Sequence, residues 1–212
     1  MALFEFAPQQ MRSTALVLNI LVSAIAFIHY NRIEKLNIRL FMVLIIASVP
    51  AAFIGGSITI NTLLYKYLLG IFLLFPAYRL AGGFVSEENY KVNDINYPIA
   101  FFAAIVIGFI SGLIGIGGGI LLSPLLLIWG WSNMKQTATI SSLFIFVNSI
   151  AGLAGNSRQS INFDSQLILM SALAFAGGMA GAYYGSKHFN FKVLRFILAI
   201  VLLIASAKLL LA

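Results

Sequence analysis

The sequence predicts an all-α membrane protein, a polytopic bundle of transmembrane helices. Of its 212 residues, 61% are hydrophobic and 9% are charged, whereas a soluble domain has about 45–50% apolar and about 25% charged residues. Its apolar runs are continuous over roughly 18 residues or more, which favours helices over the alternating strands of a membrane barrel. The 13 basic residues are scattered through short loops, which favours orientation in a lipid bilayer over nucleic-acid binding. We therefore expect a multi-pass protein of the cell membrane.

Three apolar runs in the first half predict three membrane helices, at about 11–28, 38–58 and 63–81. The first run ends in a polar and amphipathic group, residues 29–32, that suits the headgroup level. Pro50 lies inside the second run and predicts a kink, because proline removes a backbone hydrogen-bond donor.

The second half begins with an apolar run of 33 residues, 97–129, that is interrupted by six glycines: Gly108, Gly112, Gly115, Gly117, Gly118 and Gly119. As a single helix this run would measure about 50 Å, against a hydrocarbon core of about 30 Å. Glycine loses more entropy than any other residue when it is ordered, so the cluster indicates a deliberate helix break. We expect a hairpin of two arms of about 15 residues each. Further runs at about 137–154, 167–184 and 193–211 bring the total to about eight membrane segments.

A weak internal repeat relates the two halves of the chain. Residues 11–15 (MRSTA) match 134–138 (MKQTA) at an offset of 123, and two later segments match in the same order, 50–56 with 176–182 and 65–69 with 194–198. The longest polar stretch is the expected linker, so we predict a first repeat over 1–84, a linker over 85–96 and a second repeat over 97–212.

The distribution of basic residues indicates that the glycine hairpin returns to its starting side. With a returning hairpin the 13 basic residues divide nine to four between the two sides, and with a single crossing they divide seven to six. The positive-inside rule favours the larger asymmetry. A returning hairpin makes the two three-helix units antiparallel, which is the inverted repeat of many secondary transporters.

Only the second repeat is preceded by a glycine hairpin. The chain looks as if the corresponding first hairpin were missing, through a misplaced start, a truncation or a real loss. Two hypotheses for its function stay open at this point: a transporter, and a truncated or non-transporting structural membrane subunit.

The glycine-rich segment and the residues after it resemble the sulfite exporter TauE/SafE family, also described as probable membrane transporters. The resemblance rests on GFISGLIGIGGGILLSPLLL at 108–127, on Lys135 and on the pair Thr137 and Ala138. It covers nearly the whole chain, although the missing first hairpin departs from the family pattern. It implies export of small anions across the cytoplasmic membrane, mostly sulfur-containing ones such as sulfite, sulfonates or related organic acids.

Candidate substrate contacts lie at the helix break and on the helix that follows it. Glycines leave backbone groups open, and a helix that restarts near Ile120 presents unpaired amides and a positive dipole end. The alternative is a tight hairpin turn. The break contributes Gly115, Gly117, Gly118 and Gly119.

Spacings of four and seven residues place three polar side chains on one face of the next helix, and the first repeat offers two corresponding positions: Thr137, Ser141, Asn148, Thr14 and Asn19. Helix-to-helix hydrogen bonds are the alternative role for this polar face.

Arg12 and Lys135 stand at corresponding positions of the two repeats and are candidates for attracting an anion at an entrance, with an interfacial anchor as the alternative.

Pairs of small residues four apart predict close helix packing. The pairs are Gly108 with Gly112, Ala51 with Gly55, Ala52 with Gly56, Gly177 with Gly181, and Gly181 with Gly185.

Nothing in the sequence favours an enzyme. The glycines match neither the dinucleotide fingerprint nor a P-loop, and an activated serine with a base inside the membrane is not visible. The chain contains no cysteine, and we expect no catalytic residue, no metal and no cofactor. The expected partners are the lipid bilayer and a small anionic substrate, with a homo-oligomer left open.

Overall fold

The computed structural model describes residues 8–81, 93–156 and, near the C-terminus, 169, 172–173, 175–177, 200–201 and 203–210. The described residues contain helices and no strands, which confirms the all-helical prediction for that part of the chain. The helices are α1 (Pro8–Ile33), α2 (Ile38–Ser57), α3 (Thr62–Ala81), α4 (Tyr97–Ile114), α5 (Gly119–Ile128) and α6 (Met134–Asn156). Most of the linker and most of the segments predicted at 167–184 and 193–211 lie outside the described residues.

Four of these helices are long and apolar enough to cross a membrane, at Met11–Ile33, Ile38–Ser57, Tyr97–Ile114 and Met134–Asn156. The first extends past the polar group at 29–32, which stays helical, and α2 continues as a helix through Pro50.

Asparagine side chains start four of the helices. In each case the side-chain oxygen accepts a hydrogen bond from the amide three residues later, which satisfies one of the unpaired donors of the first turn. The pairs are Asn37 with Leu40, Asn61 with Leu64, Asn96 with Ile99, and Asn133 with Gln136.

The chain divides into two compact units, and each unit draws on both halves of the sequence. One comprises Met1–Met11, Ile60–Glu87 and Asn162–Ala212, and the other comprises Arg12–Thr59 and Glu88–Ile161. In the first unit, Ser206 Oγ donates a hydrogen bond of 2.8 Å to the carbonyl of Gly70. This bond joins α3 to the C-terminal helical residues. The second unit contains the glycine hairpin and is described below.

Small residues bring α2, α4 and α6 into backbone contact. A Cβ atom added at Gly108 would lie 2.7 Å from Ser48 Cα, and one added at Gly112 would lie 2.7 Å from the carbonyl carbon of Ala52. A Cβ atom at Gly56 would lie 3.0 Å from Gly152 Cα. These distances confirm the packing role predicted for Gly108, Gly112 and Gly56. A Cβ atom added at Gly177 would meet no atom of the described residues within 4 Å, so the close packing predicted there is not seen. Gly181 and Gly185 lie outside the described residues.

The contacts of the second unit also give the directions of its helices. Asn156 Nδ2 donates to Ser13 Oγ at 2.7 Å, and Thr139 Oγ1 donates to the carbonyl of Glu34 at 3.0 Å. Each end of α1 therefore meets the opposite end of α6, so these two helices are antiparallel. Helices α2 and α4 run parallel, because their contacts advance together from Ser48 and Gly108 toward the C-terminal ends.

The glycine-rich run folds back on itself. The amide of Asn93 donates to the carbonyl of Gly130 at 2.7 Å, and Asn93 Nδ2 donates to the carbonyl of Trp129 at 3.2 Å. The start of α4 and the end of α5 therefore lie at the same end of the unit, which confirms the predicted hairpin. Its arms are unequal, with 18 residues in α4 and 10 in α5, because the break falls late in the run.

Candidate functional site

The hairpin tip, residues 115–119, is shaped by glycines in the left-handed backbone region. The φ angles are 86° at Gly115, 77° at Gly117 and 76° at Gly118, and other L-residues adopt such values only at a cost. Gly115 ends α4, where its amide donates to the carbonyl of Ser111 at 2.8 Å, and Gly118 precedes the first turn of α5. The tight turn therefore accounts for three of the clustered glycines.

Unpaired backbone donors gather at this tip. The carbonyl of Gly118 accepts from the amides of Leu121 and Leu122. Within the described residues, the amides of Gly117, Gly118, Gly119 and Ile120 donate no hydrogen bond. These donors coincide with the N-terminus of α5, where the helix dipole carries a positive partial charge. The arrangement suits a negatively charged ligand.

Two buried hydroxyl groups lie beside these donors. A Cβ atom added at Gly117 would lie 3.1 Å from Ser149 Oγ, and one added at Gly118 would lie 3.2 Å from Ser111 Cβ. Ser149 is 0% exposed and Ser111 is 1% exposed. Neither hydroxyl has a hydrogen-bond partner in the described part of the chain. Buried polar groups are seldom left unpaired, because each costs about 1–3 kcal/mol, so the two hydroxyls are candidate contacts for a ligand.

Apolar side chains also pack beside the tip. A Cβ atom at Gly118 would lie 2.9 Å from Phe144 Cε1 and 3.1 Å from Ile107 Cγ2, and one at Gly117 would lie 2.7 Å from Ile145 Cγ2. These contacts reduce access of water to the loop. Electrostatic attraction is stronger in such a low-dielectric setting than in water.

Asn19 connects α1 to the tip. Its Nδ2 donates to the carbonyl of Gly115 at 3.3 Å, and a Cβ atom at Gly117 would lie 3.1 Å from the same nitrogen. The bond satisfies one carbonyl of the α4 C-terminus, which would otherwise repel an anion. Asn19 and the glycine tip, predicted as substrate contacts from different repeats, are thus brought together.

The two candidate entrance charges occupy opposite ends of the second unit. Arg12 is 3% exposed, and its guanidinium donates to the carbonyls of Gly55, Gly56 and Ile58 at the end of α2. It is therefore held inside the unit, at the same end as the hairpin tip. Lys135 is exposed at the start of α6, at the end away from the tip.

The predicted polar face of α6 is divided among separate contacts. Thr137 Oγ1 lies 2.6 Å from Ser132 Oγ, and Ser141 Oγ accepts from Ser123 Oγ at 2.8 Å. Asn148 Nδ2 donates to the carbonyl of Phe144 in its own helix.

Only part of this polar face lies near the hairpin tip. A Cβ atom at Gly119 would lie 3.4 Å from the carbonyl oxygen of Ser141. Thr137 precedes Ser149 by twelve residues, about 18 Å along a helix. Thr14 is buried in the early part of α1.

Sequence reasoning missed Ser111 and Ser149 as site residues. Ser149 follows Ser141 by eight residues, which is two steps of the four-residue helical spacing. It therefore shares a helix face with a residue predicted to contact the substrate. Ser111 stands four residues before Gly115, on the last turn before the break. Helical spacing relates Ser149 to Ser141 and Ser111 to Gly115, but the sequence does not indicate that either serine is buried.

The chain is similar to probable membrane transporter proteins along most of its length. The family model described as Sulfite exporter TauE/SafE matches residues 1–209. Probable membrane transporter protein y4hK of Sinorhizobium fredii is 32% identical over 213 residues, which cover 99% of this chain and 86% of that protein. Probable membrane transporter protein YunE of Bacillus subtilis is 24% identical, with 97% of this chain and 82% of that protein covered.

A probable membrane transporter protein of Methanocaldococcus jannaschii is 30% identical over 66% of this chain and 53% of its own length. No solved structure matches the chain. The family model and the first of these relatives both extend over almost all of the sequence. The chain therefore belongs to the TauE/SafE family of membrane transporters.

Proposed function

We propose that the protein is a secondary transporter that exports small anions and binds them at the hairpin tip. The observation that carries this proposal is the meeting of unpaired amides at the tip with the buried, unpartnered hydroxyls of Ser111 and Ser149. An amide N–H can only donate a hydrogen bond, and a hydroxyl can donate one. An acceptor-rich ligand fits this set of groups.

A small oxyanion of sulfur suits the proposed site. Its several oxygen atoms can accept from the amides of 117–120 and from the two hydroxyls at once, and hydrogen bonds to a charged group are stronger than neutral ones. The description of the family as sulfite exporters supports sulfite as the first substrate to test, followed by sulfonates and related organic acids.

We further propose an inverted repeat of about eight membrane segments, with substrate crossing at the interface between the copies. The antiparallel arrangement of α1 and α6 supports it, because these helices begin the two matching sequence segments. Many secondary transporters combine an inverted repeat with broken helices whose N-termini point at anionic groups of the substrate.

The proposed location is the cytoplasmic membrane, with the linker in the cytoplasm. Arg32, Lys35 and Lys135 lie at the end of the second unit where α4 begins, and Arg12 lies at the other end. The excess of basic residues at the end where α4 begins supports a cytoplasmic position for that end under the positive-inside rule.

Transport by the purified protein in liposomes tests the proposed function. Vesicles are loaded separately with sulfite, methanesulfonate or chloride. Sulfite-loaded vesicles that contain the protein are expected to lose sulfite faster than protein-free vesicles do. Chloride, which has no oxygen atoms, is the control anion against which efflux of sulfite and methanesulfonate is compared. Efflux no faster than from protein-free vesicles for every anion would contradict the proposal and favour the non-transporting subunit.

A further inference from the structure

We infer that Arg12 is a positioning residue that supplies positive charge to the anion site without contacting the anion. This inference rests on the proposed function and concerns the same site. It gives one of the two candidate entrance charges a fixed place behind the hairpin tip.

The position of Arg12 beside the tip is the first observation. A Cβ atom added at Gly115 would lie 2.9 Å from Arg12 Cγ and 3.2 Å from Arg12 Cα. The stem and backbone of the residue therefore pack directly against the tip.

The guanidinium turns from the tip toward the end of α2. Its Nη1 donates to the carbonyl of Ile58 at 3.0 Å, and its Nη2 donates to the carbonyl of Gly56 and, at 3.4 Å, to that of Gly55. These bonds fix the charge in place. Arginine keeps its proton in proteins, so the buried group stays positive.

The helix directions explain why a fixed cation is needed here. Helices α2 and α4 run parallel, and a Cβ atom at Gly55 would lie 3.0 Å from the amide nitrogen of Leu113. Their C-termini therefore lie side by side near the tip. Each C-terminus carries a negative partial charge that repels an anion. Arg12 offsets the charge of α2, while Asn19 satisfies a carbonyl of α4.

Burial makes this offset effective over a distance. Solvent and salt screen a buried charge much less than an exposed one. The charge of Arg12 therefore acts on an anion at the tip even though its hydrogen bonds are made to α2. Its contribution must scale with the charge of the anion, which a purely structural role does not predict.

Competition against sulfite efflux from liposomes measures this scaling. The probes are methanesulfonate, with one negative charge, and sulfate, with two. In Arg12→Gln we expect the inhibition constant to rise about tenfold for methanesulfonate and about a hundredfold for sulfate, because Coulomb energy is proportional to the charge of the ligand. Arg32→Gln removes the same charge from the exposed end of α1 and is expected to change neither constant.

Unchanged constants in Arg12→Gln, or equal increases for the two inhibitors, would overturn the inference. If Arg12→Gln does not assemble, Arg12→Lys tests the same point. Lysine keeps the charge, so the ratio of the two inhibition constants must stay at the wild-type value, and a changed ratio would also overturn it. The wild-type protein separates the two proposals: without efflux of any tested anion the proposed function itself fails, whereas with efflux the comparison of Arg12→Gln with the wild type decides the role of Arg12.

Discussion

The left-handed glycines of the hairpin tip connect backbone geometry directly to the proposed chemistry. With φ near 77° at Gly117 and 76° at Gly118, successive amides are released from the helical pattern and remain available to a ligand. A side chain at either position would both strain the backbone and enter the space beside Ser111 and Ser149. The same residues therefore shape the turn and keep its donors open.

Replacing Gly118 with alanine tests whether that geometry serves binding. The left-handed conformation costs an L-residue about 1–2 kcal/mol, and the new Cβ would lie 2.9 Å from Phe144 Cε1. We expect sulfite efflux to fall at least about tenfold. Gly130→Ala is the matched control, because Gly130 also has a positive φ, of 67°, but lies at the far end of α5. Equal losses of efflux in both variants would show that backbone strain alone is responsible.

The hydroxyl of Ser149 provides a test at the level of a single hydrogen bond. A hydrogen bond to a charged group contributes about 1.5–3 kcal/mol, so Ser149→Ala is expected to raise the KM for sulfite about tenfold or more. Ser57→Ala is the control, since that exposed hydroxyl donates to the carbonyl of Phe53 in its own helix. A KM in Ser149→Ala equal to that of the control would remove this hydroxyl from the site.

Close packing of α2, α4 and α6 is the feature at the scale of elements that holds the tip in place. At least one partner in each of these contacts is a glycine, so backbones touch without an intervening side chain. The rigid contact of α2 with α4 also brings the two helix C-termini together near the tip. The arrangement of charge around the proposed site therefore follows from small residues in the helix interface.

A larger residue at this interface is expected to destabilise the unit. A Cβ atom at Gly112 would lie 2.7 Å from the carbonyl carbon of Ala52, which the backbone cannot easily move away from. We expect Gly112→Ala to reduce the free energy of unfolding by about 1–3 kcal/mol, measured in detergent by denaturant titration. Val106→Ala changes an exposed side chain of the same helix and should have little effect. Similar losses in the two variants would contradict the packing account.

The elements were largely predictable from the sequence, because continuous apolar runs, asparagine caps and the glycine break are local signals. The runs at 11–28 and 38–58 correspond to α1 and α2, and the break at 115–119 lies at the expected place. The site was less predictable, because its contacts join distant parts of the chain. Arg12 meets carbonyls more than 40 residues away, and no local pattern indicates that its guanidinium is buried.

For the whole molecule, the returning hairpin determines which loops share a side of the membrane. The hydrogen bonds from Asn93 to residues 129 and 130 place both ends of the hairpin together, as the distribution of basic loops had indicated. With a returning hairpin, the two proposed repeats are antiparallel. If the glycine-rich run crossed the membrane only once, the two repeats would instead have the same orientation.

Accessibility of introduced cysteines tests this topology, since the natural chain has none. We expect Lys35→Cys and Lys135→Cys to react with a membrane-impermeant reagent only after the cells are opened, because both are assigned to the cytoplasmic side. Labelling of Lys135→Cys from outside intact cells, with Lys35→Cys protected, would show that the hairpin crosses only once.

A crystal structure with selenite tests the proposed anion site most directly, because selenium in this heavier analogue of sulfite can be located by anomalous scattering. We expect a selenium peak at the hairpin tip, with the selenite oxygen atoms within about 3 Å of the amides of residues 117–120 and of Ser149 Oγ. A well-occupied selenium peak elsewhere in the protein, with the tip empty, would contradict anion binding at the tip.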